Sequence, residues 1–164
     1  MRRVRDAPAG VRRHEEIERL YREQGSRMWR ALLAFTADPE VASDAVAEAF
    51  AQALRRGGEI RDPERERWVW RAAFRIAAGA LKERRREAPG VEEEGSYEME
   101  EPARELVAAL AKLSAKQRTA VVLHHATGYP VNDVAHLIGS TSAAVRVHLM
   151  RGRRRLRELL GDEG

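Results

Sequence analysis

The stretch VNDVAHLIGSTSAAVRVHLMRGRRRLREL, from Val131, constrains the fold more than any other part of the chain. A short apolar-periodic segment ends at Gly139, and a longer basic one begins two residues on. Glycine suits a tight interhelical turn because positive φ costs it little. Ala135 is small enough to let two helices approach closely. Val134, Leu137, Ile138, Val145 and Leu149 recur at spacings that give the pair a shared core. Thr141 stands where it can cap the second helix. The spacing predicts a helix-turn-helix over 131–157.

If Val145 and Leu149 face inward, Ala143, Arg146, Val147 and Met150 face outward, flanked by Ala144, His148 and Arg151. A recognition helix offers such a face to base edges in the major groove of DNA. Arginine pairs with guanine, and small apolar side chains pack on thymine methyls. These pairings point to Arg146 for the first role and to Ala143 or Val147 for the second. Arg151, Arg153, Arg154 and Arg155 suit phosphates, which supply affinity more than sequence choice. The competing reading is a plain helical hairpin with a basic solvated face. The small residue, the glycine turn and the basic second helix together favour DNA.

The same apolar spacing recurs upstream. It predicts an amphipathic helix over about 14–36, with Ile17, Leu20, Tyr21, Met28, Leu32 and Phe35 on its stripe. Asp38-Pro39 supplies a cap and a first-turn proline for the next helix. That helix carries Val41, Ala42, Ala45, Val46, Ala49, Phe50 and Leu54, and Gly57-Gly58 ends it. Asp62-Pro63 repeats the cap signal ahead of a basic helix reaching Arg86. Further helices are expected over about 104–112, over 114–127 behind the Ser114/Gln117 capping-box pattern with Gly128 as its stop, and over 131–138 and 142–160. Hydrophobic residues are 43% of the chain and aromatics 5%, and β-branched residues are sparse and scattered. The expected fold class is all-α.

Charge divides the chain. Residues 1–86 hold 20 Lys/Arg against 14 Asp/Glu, residues 87–105 one Arg against eight Glu, and residues 106–164 nine Lys/Arg against four Asp/Glu. The acidic strip carries prolines and glycines and lacks an apolar stripe, so it reads as a linker. The expected organisation is a disordered basic tail over 1–13, a helical domain over 14–86, an acidic linker over 87–103 and a helix-turn-helix domain over 104–164. Two basic blocks suit a polyanion.

Several classes fall away. The chain has no cysteine, which excludes disulfides and cysteine-ligated zinc. Its five histidines (14, 124, 125, 136 and 148) include no HExxH pattern, so no metal and no cofactor are expected. His136 reads as a solvated surface residue, and His124 and His125 as straddling a core boundary. No Ser/His/Asp arrangement or glycine-rich phosphate loop points to an enzyme. No apolar run is long enough for a bilayer span, and the basic N-terminus lacks the apolar core of a secretory signal. A cytoplasmic protein without membrane insertion is expected.

Trp68 and Trp70 stand two apart in RERWVWRAAFRIAAGALKERRR (65–86), so they cannot share one helix face. An exposed tryptophan among arginines suits stacking on an unpaired base. On this stretch alone, packing at the core or helix end is the better reading of both.

Taken together, LYREQGSRMWR (20–30), DPEVASDAVAEAFAQAL (38–54), WVWRAAFRIA (68–77) and LSAKQRTAVVLHHATGYPVNDVAHLIGSTSAAVRVHLMRGRRRLREL (113–159) resemble bacterial RNA polymerase sigma factors of the extracytoplasmic-function group. The resemblance covers about residues 15–86 and 104–160. It implies a factor that binds core RNA polymerase and directs it to promoter DNA, with an anti-sigma factor as an optional further partner. It places Asp44, Ala47 and Glu48 in the segment that docks on the polymerase. The loop from Gly57 to Glu66 falls where the family captures a flipped minus-10 base. Trp68, Trp70, Arg71, Arg75 and Lys82 lie on the helix after that loop. Ala143, Arg146, Val147, His148, Met150 and Arg151 fall on the minus-35 recognition helix. The chain departs from the family pattern at Ala47, Arg75 and Gly79, and at Pro130 and Asp133, where a serine and a glutamate usually form a capping box. Two other classes fit parts of the pattern: a helix-turn-helix regulator with a helical dimerisation domain, and a divergent sigma-like protein acting through protein contacts.

Overall fold

The structure, a computed structural model, describes residues 8–87 and 99–161. Seven α-helices follow one another: α1 (Ala9–Thr36), α2 (Pro39–Arg56), α3 (Arg65–Glu87), α4 (Glu101–Ala111), α5 (Ala115–Thr127), α6 (Val131–Ile138) and α7 (Ser142–Leu160). No strand occurs among the described residues. The all-α expectation holds, and α6 and α7 form the expected helix-turn-helix.

Capping accounts for most of the boundaries. The Asp38 side chain accepts from the Glu40 and Val41 amides and starts α2. It also pairs with Arg84, near the far end of α3. Ser114 and Gln117 complete a reciprocal capping box on α5, and Thr141 accepts from the Ala144 amide on α7. Gly128 and Gly139 stop α5 and α6 in the left-handed conformation, at φ 70° and 65°. Gly57 ends α2 for a different reason. Its φ is −55°, and a Cβ there would come within 2.8 Å of the Ala53 carbonyl oxygen and of Arg13 Cδ. Space, rather than backbone handedness, selects that glycine.

Four boundaries differ from expectation. Residues 9–13, expected in a disordered tail, form the first turn of α1, with the Arg13 stem lying along Gly57 and Gly58. Long cationic side chains bury their stems this way while the head stays wet. Asp62-Pro63 opens a 3-10 turn (Asp62–Glu64) and not α3 itself. The acidic strip is helical at both ends: α3 continues through Glu87, and α4 starts at Glu101 with Pro102 in its first turn, where proline's fixed φ fits. The expected tail over 1–7 and the middle of the linker, 88–98, lie outside the described residues.

Helices α1, α2 and α3 form one bundle and α4 to α7 a second. One core runs through both. Met28, Leu32, Val69 and Trp70 anchor the first bundle, while Leu123, Val134 and Val145 anchor the second, all with at most 2% exposure. At 28 residues, α1 is long enough (about 42 Å) to serve as a common wall. Phe35 of α1 meets Phe74 of α3 at 5.2 Å, and the Arg118 guanidinium of α5 lies over the Phe35 ring at 5.2 Å.

Inside the second bundle, α7 packs tightly on α5. Gly152 is buried in α7, and a Cβ there would sit 2.8 Å from Val121 Cγ2. Gly79 of α3 has nothing within 4 Å of its Cβ position. Replacing helical glycine by alanine gains about 1 kcal/mol of propensity, whereas overpacking costs about 1–3 kcal/mol. Gly79→Ala should therefore stabilise the protein by up to about 1 kcal/mol, and Gly152→Ala should destabilise it by about 1 kcal/mol net. Urea unfolding of the two variants should move the midpoint in opposite directions. Equal shifts would show that Val121 yields freely.

Candidate nucleic-acid interface

Helix α7 is oriented by two buried residues. Val145 is fully buried and Leu149 is 3% exposed, both against α5 and α6. Helical periodicity then turns Ala143, Arg146, Val147, Met150 and Arg151 to solvent, with Ala144 and His148 at the edge. Val147 and Met150 are unusually open for their type, at 38% and 58% exposure. Arg146, Arg151 and Arg154 form no ion pair with any described residue, so an open apolar surface lies among uncommitted cations. Asn132 Oδ1 accepts from the Ser142 hydroxyl at 2.6 Å and ties the start of α7 to α6. At the other end of the helix, Arg153 donates to His125 Nε2 at 3.4 Å. Burial, then the Arg153 charge, holds the His125 imidazole below its ordinary range. His124 is half-buried, with Nδ1 2.8 Å from the Tyr129 carbonyl oxygen, and His125 is exposed, so the pair straddles the core boundary. His136 is exposed.

The second set of expected DNA residues divides. Arg71, Arg75 and Lys82 are exposed on α3, and Trp68 is half-buried at its start. Trp70 is not available. It is 1% exposed and stacks on Phe74 at 6.3 Å, on the face of α3 that carries Val69, Ala73 and Ala77. The two tryptophans face apart, as their spacing requires, and Trp70 is the one inside, so its expected role in base contact is corrected to core packing.

The loop between α2 and α3 depends on a residue that the sequence reading did not single out. Arg65 is 7% exposed, pairs with Glu16 of α1 at 2.5 Å, and reaches the Gly57 and Ile60 carbonyl oxygens at 3.5 Å. One buried guanidinium thus gathers both ends of the loop onto α1. Nothing marked Arg65 out among its neighbours, because Arg61, Arg67 and Arg71 look the same in sequence. Arg118 was missed for the same reason.

On α2, Asp44 and Ala47 are exposed and Glu48 is partly so, while Phe50 is buried as expected. Asp44 has no ion-pair partner among the described residues. Glu48 is engaged, accepting from Gln52 at 3.1 Å and from Arg55 at 2.8 Å.

Comparison with known proteins places this geometry. Residues 103–156, essentially α4 to α7, match the family described as sigma-70, region 4. Over 155 residues, 88% of this chain and 77% of the relative, the sequence is 29% identical to the ECF RNA polymerase sigma factor SigM of Mycobacterium tuberculosis. Over 172 residues it is 27% identical to the RNA polymerase sigma factor CarQ of Myxococcus xanthus, covering 99% of this chain and 96% of CarQ. The fold superposes on the sigma factor RpoE, solved in complex with the anti-sigma factor NepR from Bartonella quintana. That match has TM-score 0.73, 22% identity, and covers 90% of this chain and 99% of RpoE. It also superposes on CnrH, solved with the cytosolic domain of CnrY, at TM-score 0.69 and 20% identity, covering 90% of this chain and 89% of CnrH. The C-terminal helices match sigma-70 region 4, and the chain is similar over most of its length to RNA polymerase sigma factors. No helix among the described residues is long and apolar enough to cross a membrane.

The Glu48 arrangement yields a titration test. Hydrogen bonds from Gln52, then from Arg55, hold its carboxyl below the ordinary carboxylate range. A depressed folded-state pKa means that the stabilisation is present above the unfolded value and is lost as pH falls through the folded one. Gln52→Ala and Arg55→Ala should each raise the Glu48 midpoint in a side-chain carboxyl NMR titration. A midpoint unmoved by both would show that the hydrogen bonds do not hold in solution.

Proposed function

We propose that this protein is a transcription initiation factor that binds core RNA polymerase and reads a promoter in two places. The observation that carries the reading is the region 4 helix-turn-helix with its open α7 face, in a chain that aligns along its whole length with sigma factors. Helix α7 enters the major groove of the minus-35 element. Arg146 takes a guanine edge, Ala143, Val147 and Met150 pack on thymine methyls, and His148 and Arg151 complete the contact. The Gly57–Glu66 loop and α3 meet the minus-10 element as separated strands, with Trp68 for stacking and Arg71, Arg75 and Lys82 for the backbone. Trp70 supports that surface from within. On α2, Asp44 carries the polymerase contact, because its carboxylate is uncommitted while Glu48 is shared with Gln52 and Arg55. Ala47 adds exposed apolar surface beside them.

The factor performs no bond chemistry of its own, and binding free energy drives strand separation. It works in the cytoplasm, where polymerase and promoter are found. The organisation is a region 2-like domain over 14–86, extended at its start by the helical residues 9–13, and a region 4-like domain over 104–164 that α4 enters from Glu101.

The test is a run-off assay with core polymerase, the full chain and genomic promoter fragments. Specific transcripts should appear, and both Asp44→Ala and Arg146→Ala should reduce them. On the selected promoter, Arg146→Ala should cost about 1–3 kcal/mol and relax preference at one base pair. Arg154→Ala should weaken binding to all sequences alike and lower the salt slope by about 1. Dimeric binding to duplex DNA without polymerase would replace this reading by that of a conventional regulator.

A further inference from the structure

The loop assigned above to the separated strands, Gly57–Glu66, is open along its outer side, where Gly58, Glu59, Arg61 and Glu64 face solvent. An exposed loop of this kind is ordinarily mobile. This one is held from beneath. Arg13, Glu16 and Ile17 stand at i, i+3 and i+4, so they share one face of α1. Ile17 is buried and sets that face against the first bundle. The other two reach the loop. The Arg13 stem lies against Gly57, with Cδ 2.8 Å from the position a Cβ would take there, and its Nη1 lies 2.5 Å from the same position on Gly58. Glu16 pairs with Arg65 at 2.5 Å.

Arg65 carries the anchorage further. Its Nη1 donates to Glu16, and its Nη2 donates to the carbonyl oxygens of Gly57 and Ile60, both at 3.5 Å. A guanidinium is a rigid planar fork, so three acceptors bound to one group cannot shift independently. Arg65 is also the first residue of α3, one turn before Trp68. The pair therefore sets the loop and the proposed stacking residue in one frame with α1. Burying an ion pair is a poor way to gain stability, because the loss of water offsets most of the attraction. What such a pair supplies here is one geometry. The Arg65 side chain is 9% exposed and that of Glu16 38%, so the cation is enclosed and the carboxylate closes it from the rim. Two short turns within the loop complete a preformed shape: the Glu59 amide donates to the Arg56 carbonyl and the Glu64 amide to the Arg61 carbonyl, both at 2.9 Å.

We infer that Arg13, Glu16 and Arg65 are positioning residues for base selection at the minus-10 element: they hold the loop in the shape that accepts the separated base, without touching that base. The inference rests on the proposed function for the loop's role. It gives the start of α1 a part in promoter reading, including the turn that sequence alone assigns to a disordered tail. A loop that is ordered before the base arrives avoids the entropy of ordering on binding. Loosening it should therefore lower discrimination between bases at the captured position, by about two- to tenfold. The α7 face and the α2 surface are separate from these contacts, so minus-35 and polymerase binding should not change.

The test uses the full chain with core polymerase on forked DNA built from the promoter selected in the run-off assay. All four bases are placed in turn at the minus-10 position where wild type is most selective. Glu16→Gln keeps an acceptor but removes the charge, and Arg65→Lys keeps the charge but loses the fork. These two variants and Arg13→Ala should each narrow the spread of affinities across the four bases at that position. Preference at the other minus-10 positions, and affinity for minus-35 duplex, should stay as in wild type. Amide hydrogen exchange over residues 57–64 should quicken in the same variants. Circular dichroism should show Arg13→Ala as helical as wild type, so that variant decides the matter should Arg65→Lys unfold. A selective wild type with unchanged selectivity in Glu16→Gln and Arg13→Ala would overturn the inference and leave the proposed function standing. A loss spread evenly over every position would also overturn it, by reducing the three residues to general stability. A wild type with no base preference anywhere in the minus-10 element would remove the proposed role of the loop and the inference with it.

Discussion

A row of rings ending on a cation runs across the junction of the two bundles. Trp70 stacks on Phe74, Phe74 meets Phe35, and Arg118 caps Phe35 from the other bundle. The row runs from beneath the basic surface of α3, through α1, to the first turn of α5. Arg118 is 7% exposed, and among the described residues its Nε has no hydrogen-bond partner and no carboxylate pairs with it. Burial, then the nearby Arg85 charge, lowers its pKa. A cation placed over a ring gains about 0.5–2 kcal/mol, while an unsatisfied polar group taken out of water costs about 1–3 kcal/mol. These opposing terms are of similar size. The bundles meet through a real core, but the polar element of the junction adds little net adhesion.

The same economy appears at the surfaces. Each bundle spends its best-packed residues on orienting a helix whose outer face is left unsatisfied. Val145 and Leu149 fix the roll of α7, and Val69, Trp70, Ala73 and Ala77 fix that of α3. Arg146, Arg151, Arg71 and Arg75 then project without ion-pair partners among the described residues, while the arginines that organise structure, Arg65 and Arg84, are engaged by Glu16 and Asp38. Burial and pairing thus sort one residue type into two jobs. A free guanidinium on a rigid helix is ready for phosphate or guanine without first breaking an internal bond, which limits the ordering cost of recognition.

That sorting also marks what could be read from sequence. Helix existence, order and caps were legible at Asp38, Ser114, Gly128, Thr141 and Gly139, because each is a local chemical event within a few residues. The faces of α7 were legible because Val145 and Leu149 state its periodicity. The inward turn of Trp70 was half legible: spacing showed that one tryptophan had to face away from the other, but not which. The roles of Arg65, Arg118 and Arg67 were not legible. Each depends on a partner far along the chain (Glu16, Phe35 and Asp133 respectively), and no periodicity in a single segment encodes that. The extra turn of α1 from Ala9 was hidden likewise, since its support comes from the end of α2.

Pro130 and Asp133 show how a local rule can fail for a non-local reason. A serine at 130 and a glutamate at 133 would satisfy the first amides of α6 from within and leave the helix self-sufficient. Pro130 offers no side-chain acceptor, and its carbonyl instead accepts from the Asp133 and Val134 amides. The helix starts all the same, because Val134 and Leu137 are buried and packing supplies what the missing cap does not. Freed from capping, Asp133 is available to Arg67. A departure that weakens one helix end by about 1 kcal/mol thus leaves the Asp133 carboxylate to pair with Arg67 across the two bundles.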